Sequence, residues 1–288
     1  MDRRFVTLAW IAAACTYLLI VLGAVVRITG SGLGCGEHWP LCNGHLFPPL
    51  SDPPTVIEWS HRLFAALVSI LVVGLAVYGV RSRELGVRAR MAYVALALLI
   101  VQVLLGAITV KTGLTPLIVI LHLGTAMLLL ATLITAARGP WTLAPGSRLL
   151  LSLTFVTVLF GALTANLGAT SACGGFPLCN GQIITSAGPL AAIHWTHRLL
   201  AYSLLGCVVW WVYRYPNHAL GLLAIVLIQI TIAATMVLLG FPGGLQAAHA
   251  AVGAAVWATA VLAALRPAAT PAAAPSASPP DPRRPYTR

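Results

Sequence analysis

Charge is what this chain has least of. Of 288 residues only 6 are Asp or Glu, and charged residues of both signs make up 8% against 59% hydrophobic. A soluble globular domain carries roughly a quarter charged residues, so that class is excluded and an integral membrane protein remains. No cleavable leader is expected at the start of the sequence either. Asp2-Arg3-Arg4 runs straight into a full-length apolar stretch with no small-residue cleavage site after a short core, so the first stretch is expected to stay as a span. Cysteine is sparse, and its placement is uneven. Cys35 with Cys42 and Cys173 with Cys179 lie in two loops, whereas Cys15 and Cys207 lie inside apolar runs. Loop cysteines in even number suggest disulfides where the loops face an oxidising compartment.

What is present is apolar length punctuated by arginine. Runs of about twenty apolar residues predict eight spanning helices, near residues 5–26, 56–80, 91–110, 116–136, 149–167, 189–213, 219–239 and 244–265. The net charge of +11 comes from cations between these runs, a membrane-topology pattern that argues against nucleic-acid binding. One set of connections holds Arg3, Arg4, Arg81, Arg83, Arg88, Arg90, Arg138, Arg148, Arg214 and Arg266, and the other only Arg27 and Lys111. By the positive-inside rule the first set is cytoplasmic. A multi-pass protein is expected, with both termini cytoplasmic and both cysteine loops outside. The Pro, Ala and Ser tail over 267–288 is expected to be disordered.

The chain repeats itself. Ile57-Glu58-Trp59-Ser60-His61-Arg62-Leu63 returns as Ile193-His194-Trp195-Thr196-His197-Arg198-Leu199, an offset of 197 − 61 = 136. Val101-Gln102-Val103 returns as Ile228-Gln229-Ile230, and His122 as His249, both at an offset of 127. The predicted fold is therefore all-α, eight transmembrane helices in two pseudo-symmetric four-helix bundles, residues 1–138 and 148–266, joined by a linker over 139–147. His61 with His122, and His197 with His249, fall at similar depths, roughly 8–10 Å below the outer boundary at 1.5 Å per residue. Paired imidazoles across a four-helix bundle suit the axial ligands of a haem iron. Zinc would want more ligands, and only Glu58 lies near. His38, His45 and His218 are expected to be solvated, and His194 to touch water or a haem propionate. Arg62 and Arg198 divide between lipid headgroups and propionates.

The halves differ where chemistry would show. Glu58 stands where the second half has His194, and Arg27 where it has Ala165. A carboxylate beside one site alone suggests that this site reacts while the other carries a permanent cofactor.

Taken together, Arg27-Ile28-Thr29-Gly30-Ser31-Gly32-Leu33, Trp39-Pro40-Leu41-Cys42-Asn43-Gly44, Glu58 with His61 and Arg62, His122, Cys173 to Cys179, His197 and His249 resemble the haem A synthase family over nearly the whole chain to Leu265. The resemblance implies that His197 and His249 ligate a haem b cofactor. It implies that His61 and His122 bind haem O, with Arg27 beside it and Glu58 as the essential acid. The C8 methyl of haem O would be oxidised to a formyl group through an alcohol, giving haem A for terminal oxidases. It also implies disulfides Cys35–Cys42 and Cys173–Cys179, a bacterial cell membrane, and links to haem O synthase, oxidase assembly and a homo-oligomer. The first loop departs from the family's Cys-Pro-Asp-Trp-Pro, reading Cys35-Gly36-Glu37-His38-Trp39-Pro40. The residues alone leave three other readings open: a non-catalytic two-haem cytochrome b, a thiol–disulfide oxidoreductase, and a haem carrier.

Overall fold

The structure is a computed structural model that describes residues 2–49, 51–183 and 187–267; the tail expected to be disordered over 268–288 lies outside the described residues. Eight α-helices carry the chain: α1 Arg3–Ile28, α2 Pro53–Arg81, α3 Val87–Lys111, α4 Pro116–Arg138, α5 Ser147–Asn166, α6 Pro189–Arg214, α7 Pro216–Leu238 and α8 Gly243–Ala264. Seven are long and apolar enough to cross a membrane. α6 has the length, 26 residues, but its first half holds His194, His197 and Arg198 and so falls short in apolarity.

Proline and short acidic caps set the starts. Asp52 accepts from the Thr55 N–H at 3.0 Å with Pro53 at the first helical position, so α2 begins three residues before the apolar run suggests. That shift aligns the halves. His61 stands 61 − 53 = 8 residues past its helix start and His197 197 − 189 = 8; His122 and His249 each stand 6 past theirs (122 − 116 and 249 − 243). Within a half the two depths differ by two residues, about 3 Å.

Contacts close two rings. α1, α2, α3 and α4 pack in sequence and α1 meets α4; α5 to α8 do the same, with α5 against α8. The rings join through α1·α8, α4·α5 and α4·α8. Exchanging the halves turns the first of these contacts into the second and the third into itself, which defines a pseudo-twofold relation. Side chains follow it. Tyr17 Oη donates to the Ala251 carbonyl at 3.1 Å. At the exchanged position Phe155 lies where a Cβ on Gly124 would sit 3.6 Å from its ring tip. Phe155 also packs on Trp257, with ring centroids 5.5 Å apart. Trp257 Nε1 donates to the Met127 carbonyl at 2.7 Å, tying α8 to α4. The largest buried apolar cluster accordingly runs from α1–α4 into Ala254, Trp257 and Val261 of α8.

The fold is not purely helical. The linker carries a short strand, β1 Trp141–Leu143, paired antiparallel with β2 Leu265–Pro267 in the register Thr142↔Arg266. Gly139 and Gly146 flank it, both at φ 82°, a conformation that lets the chain turn out of α4 and into α5. Arg138 Nη2 donates to the Leu265 carbonyl at 3.3 Å, and the Arg266 guanidinium lies 4.2 Å over the Tyr215 ring. The linker is thus strapped to the end of α8, and the expected tail begins with a paired residue, Pro267.

Two disulfides, Cys35–Cys42 and Cys173–Cys179, close the α1–α2 and α5–α6 loops at one end of the bundle. Replacing Trp257 by Phe keeps the ring and deletes one buried donor. It is expected to lower stability by about 1 kcal/mol, read as a lower thermal midpoint of the detergent-purified protein.

Candidate functional site

One continuous cavity of about 1020 Å³ is bordered by His61, His122, His197 and His249, with walls from both halves. Glycine makes room for the rings. A Cβ on Gly23 would sit 3.3 Å from His61 Nε2, and one on Gly161, its counterpart in α5, 2.9 Å from His197 Cε1. His122 Cε1 lies 3.3 Å from a Cβ built on Gly106. His197 Nδ1 is within 3.1 Å of the Thr157 carbonyl, which fixes its proton on Nδ1 and leaves Nε2 as the free lone pair. Among the described residues no three His, Cys, Asp or Glu side chains gather as a metal cluster. Two imidazoles per half suit a metal that already has four donors in a plane, as in a metallated macrocycle, and not a bare ion needing four protein ligands.

Each half adds a glutamine from its third helix. Gln102 Nε2 lies 3.2 Å from His122 Nε2. Gln229 Nε2 lies 3.1 Å from His249 Nδ1, 3.3 Å from its Nε2 and 3.0 Å from its backbone carbonyl. The repeat Val101-Gln102-Val103 and Ile228-Gln229-Ile230 was visible in the sequence, but only the structure connects it with the histidines.

The loops are held from α2 and α6. Glu58, 4% exposed, accepts from the Cys35 N–H through Oε2 at 2.8 Å and pairs through Oε1 with Arg62. Arg62 Nη1 in turn donates to the carbonyls of His38 at 2.6 Å and Leu41 at 2.7 Å. In the second half Arg198 donates to the carbonyls of Gly175 at 2.9 Å, Leu178 at 2.8 Å and Cys173 at 2.8 Å. Both arginines are engaged by the loops: the tight disulfide loops turn carbonyls inward, and these guanidiniums are the donors at hand. His194 is likewise not free for water. At 5% exposed it donates from Nδ1 to the Ala169 carbonyl at 3.1 Å. The mismatch of Glu58 with His194 is therefore an inversion of polarity, since Glu58 accepts a loop N–H where His194 donates to a loop carbonyl.

Arg27 lies in the last turn of α1, where the sequence suggests a connection, and its Nη2 donates to Gln246 Oε1 of α8 at 3.4 Å. It borders the cavity, and so do Glu58, His194 and His45. By the repeat offset of 127, Gln246 corresponds to Val119. The contact between halves is thus polar where α1 meets α8, and its exchanged counterpart is Ala165 with Val119.

Comparison with known proteins adds to this geometry. A family model described as "cytochrome oxidase assembly protein" matches residues 6–54 and 52–261. A haem A synthase of Alkalihalophilus pseudofirmus is 33% identical over 76% of this chain and 80% of its own length. Those of Shouchella clausii (34% identical, 73% and 77% covered) and Symbiobacterium thermophilum (35% identical, 68% and 71% covered) are similarly close.

The glycine contacts yield a graded expectation. Gly161→Ala drives a methyl against His197 at 2.9 Å and is expected to cost about 1–3 kcal/mol. Gly23→Ala, at 3.3 Å from His61, should cost less. Thermal unfolding of the two purified variants checks the order.

Proposed function

The chain belongs to the family of cytochrome oxidase assembly proteins, and from that premise we propose that it oxidises the C8 methyl of haem O to a formyl group. Its function is haem A synthesis for cytochrome oxidase. One observation carries the finer reading: a single cavity bordered by two imidazole pairs has a carboxylate, Glu58, on one side only.

In this reading His61 and His122 hold haem O, and His197 and His249 hold haem b. The glycines opposite the rings, and the absence of a third ligand among the described residues, are what make the site fit such a group. Haem b, when bound, supplies one-electron transfer. Glu58 lies one helical turn before His61 and is fixed by the Cys35 N–H and Arg62. A carboxylate held so firmly is preorganised to stabilise positive charge as it develops at the methyl carbon, and it needs no reorganisation to do so. Apolar walls from Leu99, Val103, Leu123 and Met127 would keep water from a macrocycle bound in the cavity. Arg27 borders the same cavity and offers a cation to a substrate carboxylate.

Arginine placement supports an orientation with the disulfide loops outside and both termini inside, and the bacterial relatives favour a bacterial cell membrane. Haem O arriving from a haem O synthase and haem A leaving for oxidase assembly are the partners this implies.

The test is to extract and chromatograph haems from membranes of cells supplied with haem O. Haem A should appear only with this protein, and Glu58→Gln should leave haem O accumulating with Cys35–Cys42 still formed. Normal haem A from Glu58→Gln removes the role of the carboxylate. Haem B bound with no haem A made would instead mark a two-haem cytochrome.

A further inference from the structure

The two halves place the same glutamine differently, and a reciprocal exchange of glycine and alanine accounts for it. In the second half α8 has Gly253, where an added Cβ would sit 3.2 Å from Gln229 Nε2. The first half has Ala126 at that position, 253 − 127. On the neighbouring helix the order reverses: Gly106 in α3, lying against His122 Cε1, corresponds to Ala233 in α7. All four residues border the cavity.

The consequence is which atom each amide covers. Over Gly253, Gln229 can lie close along α8 and donate to the carbonyl of His249 at 3.0 Å. Its nitrogen is then nearly equidistant from both ring nitrogens, at 3.1 and 3.3 Å. In the ring plane such a position would collide with Cε1, so the amide lies over the imidazole face and leaves the in-plane lone pair clear. In the first half the methyl of Ala126 fills that berth, and the Gln102 amide stands at His122 Nε2 instead, at 3.2 Å. An imidazole nitrogen has one lone pair. Donation from Gln102 and ligation of a metal at that nitrogen therefore exclude each other. His122 Nδ1 and Gln102 Oε1 are meanwhile both buried without a partner. A donor and an acceptor are thus left over on the same two side chains, with Gly106 leaving space beside the ring between them.

We propose that Gln102 is a placeholder at His122 Nε2, displaced by the substrate's iron and returning as it leaves, while Gln229 lies over the face of His249 and leaves its in-plane lone pair clear. The N-terminal site is thereby built to exchange its haem and the C-terminal site to keep it. The proposal rests on the assignment of haem to the two histidine pairs. When Gln102 swings so that Oε1 takes the Nδ1–H, both leftover groups are satisfied and Nε2 faces the cavity. Gln102 is a positioning residue acting through His122.

The test is haem transfer from the purified, haem-loaded full chain to excess apomyoglobin, followed by absorbance. The wild type should lose haem in a fast and a slow phase. Gln102→Met, which removes the competing donor, should slow the fast phase roughly two- to tenfold, the weight of one net hydrogen bond, and leave the slow phase alone. Ala126→Gly should slow the fast phase in the same sense, and it carries the test by itself if Gln102→Met does not fold. Gly253→Ala should speed the slow phase. A glutamine that merely stiffened the bundle would give the opposite sign, so a fast phase unchanged or quickened in both Gln102→Met and Ala126→Gly overturns the proposal. A wild-type protein that purifies with no haem fails differently, because it removes the haem assignment on which the proposal stands.

Discussion

A polar group inside hydrocarbon has no water to fall back on, and every partner it needs must come from the protein itself. This constraint shapes the whole molecule. Thr16 and Thr154, equivalent residues of α1 and α5, are almost fully buried and return their hydroxyls to the carbonyls of Ala12 and Leu150 at 2.8 and 2.7 Å. Arg62 and Arg198 spend their donors on the carbonyls of the disulfide loops. His194 and Glu58 close the remaining loop groups. Against that background, the polar atoms left without partners stand out, and Gln102 Oε1, His122 Nδ1 and Gln229 Oε1 are among them, all beside the cavity.

The two halves share one scaffold, and substitutions within it make their sites differ. Both halves keep the histidine pair, the glutamine, the arginine and the disulfide. Around the cavity, four of the changes between them are Glu58 for His194, Arg27 for Ala165, and the opposed Gly106/Ala126 and Ala233/Gly253. The first two place charge on one side of the cavity. The last two move an amide between the edge and the face of an imidazole. The contacts between the halves are carried by Tyr17, Phe155 and Trp257, and Arg27 adds a polar one to Gln246 of α8.

Much of the fold was legible because its signals are long-range and redundant. Apolar length located eight helices, and repeated offsets showed two halves. Short-range detail was not legible. The α2 start moved to Pro53 because a cap and a proline outweigh the apolar pattern. The β1–β2 pair depends on two segments more than a hundred residues apart, Trp141–Leu143 and Leu265–Pro267, that no local pattern connects. The loop contacts of Arg62 and Arg198 were not legible, because sequence gives the direction of a side chain on its helix but not the carbonyls that a folded loop turns towards it. Gln102 and Gln229 carried a usable signal, an equal separation of 20 residues from His122 and His249, which places each on the helix next to its histidine.

The central claim is that each half holds its own haem, one as cofactor and one as substrate. The most direct measurement is the haem content, by extraction and chromatography, of the protein purified from a host that makes haem O. The wild type should carry haem B together with haem O or haem A. His249→Ala should remove haem B alone, and His122→Ala should remove haem O and haem A alone. Loss of both haems in equal measure from either variant, or of neither, would contradict the account.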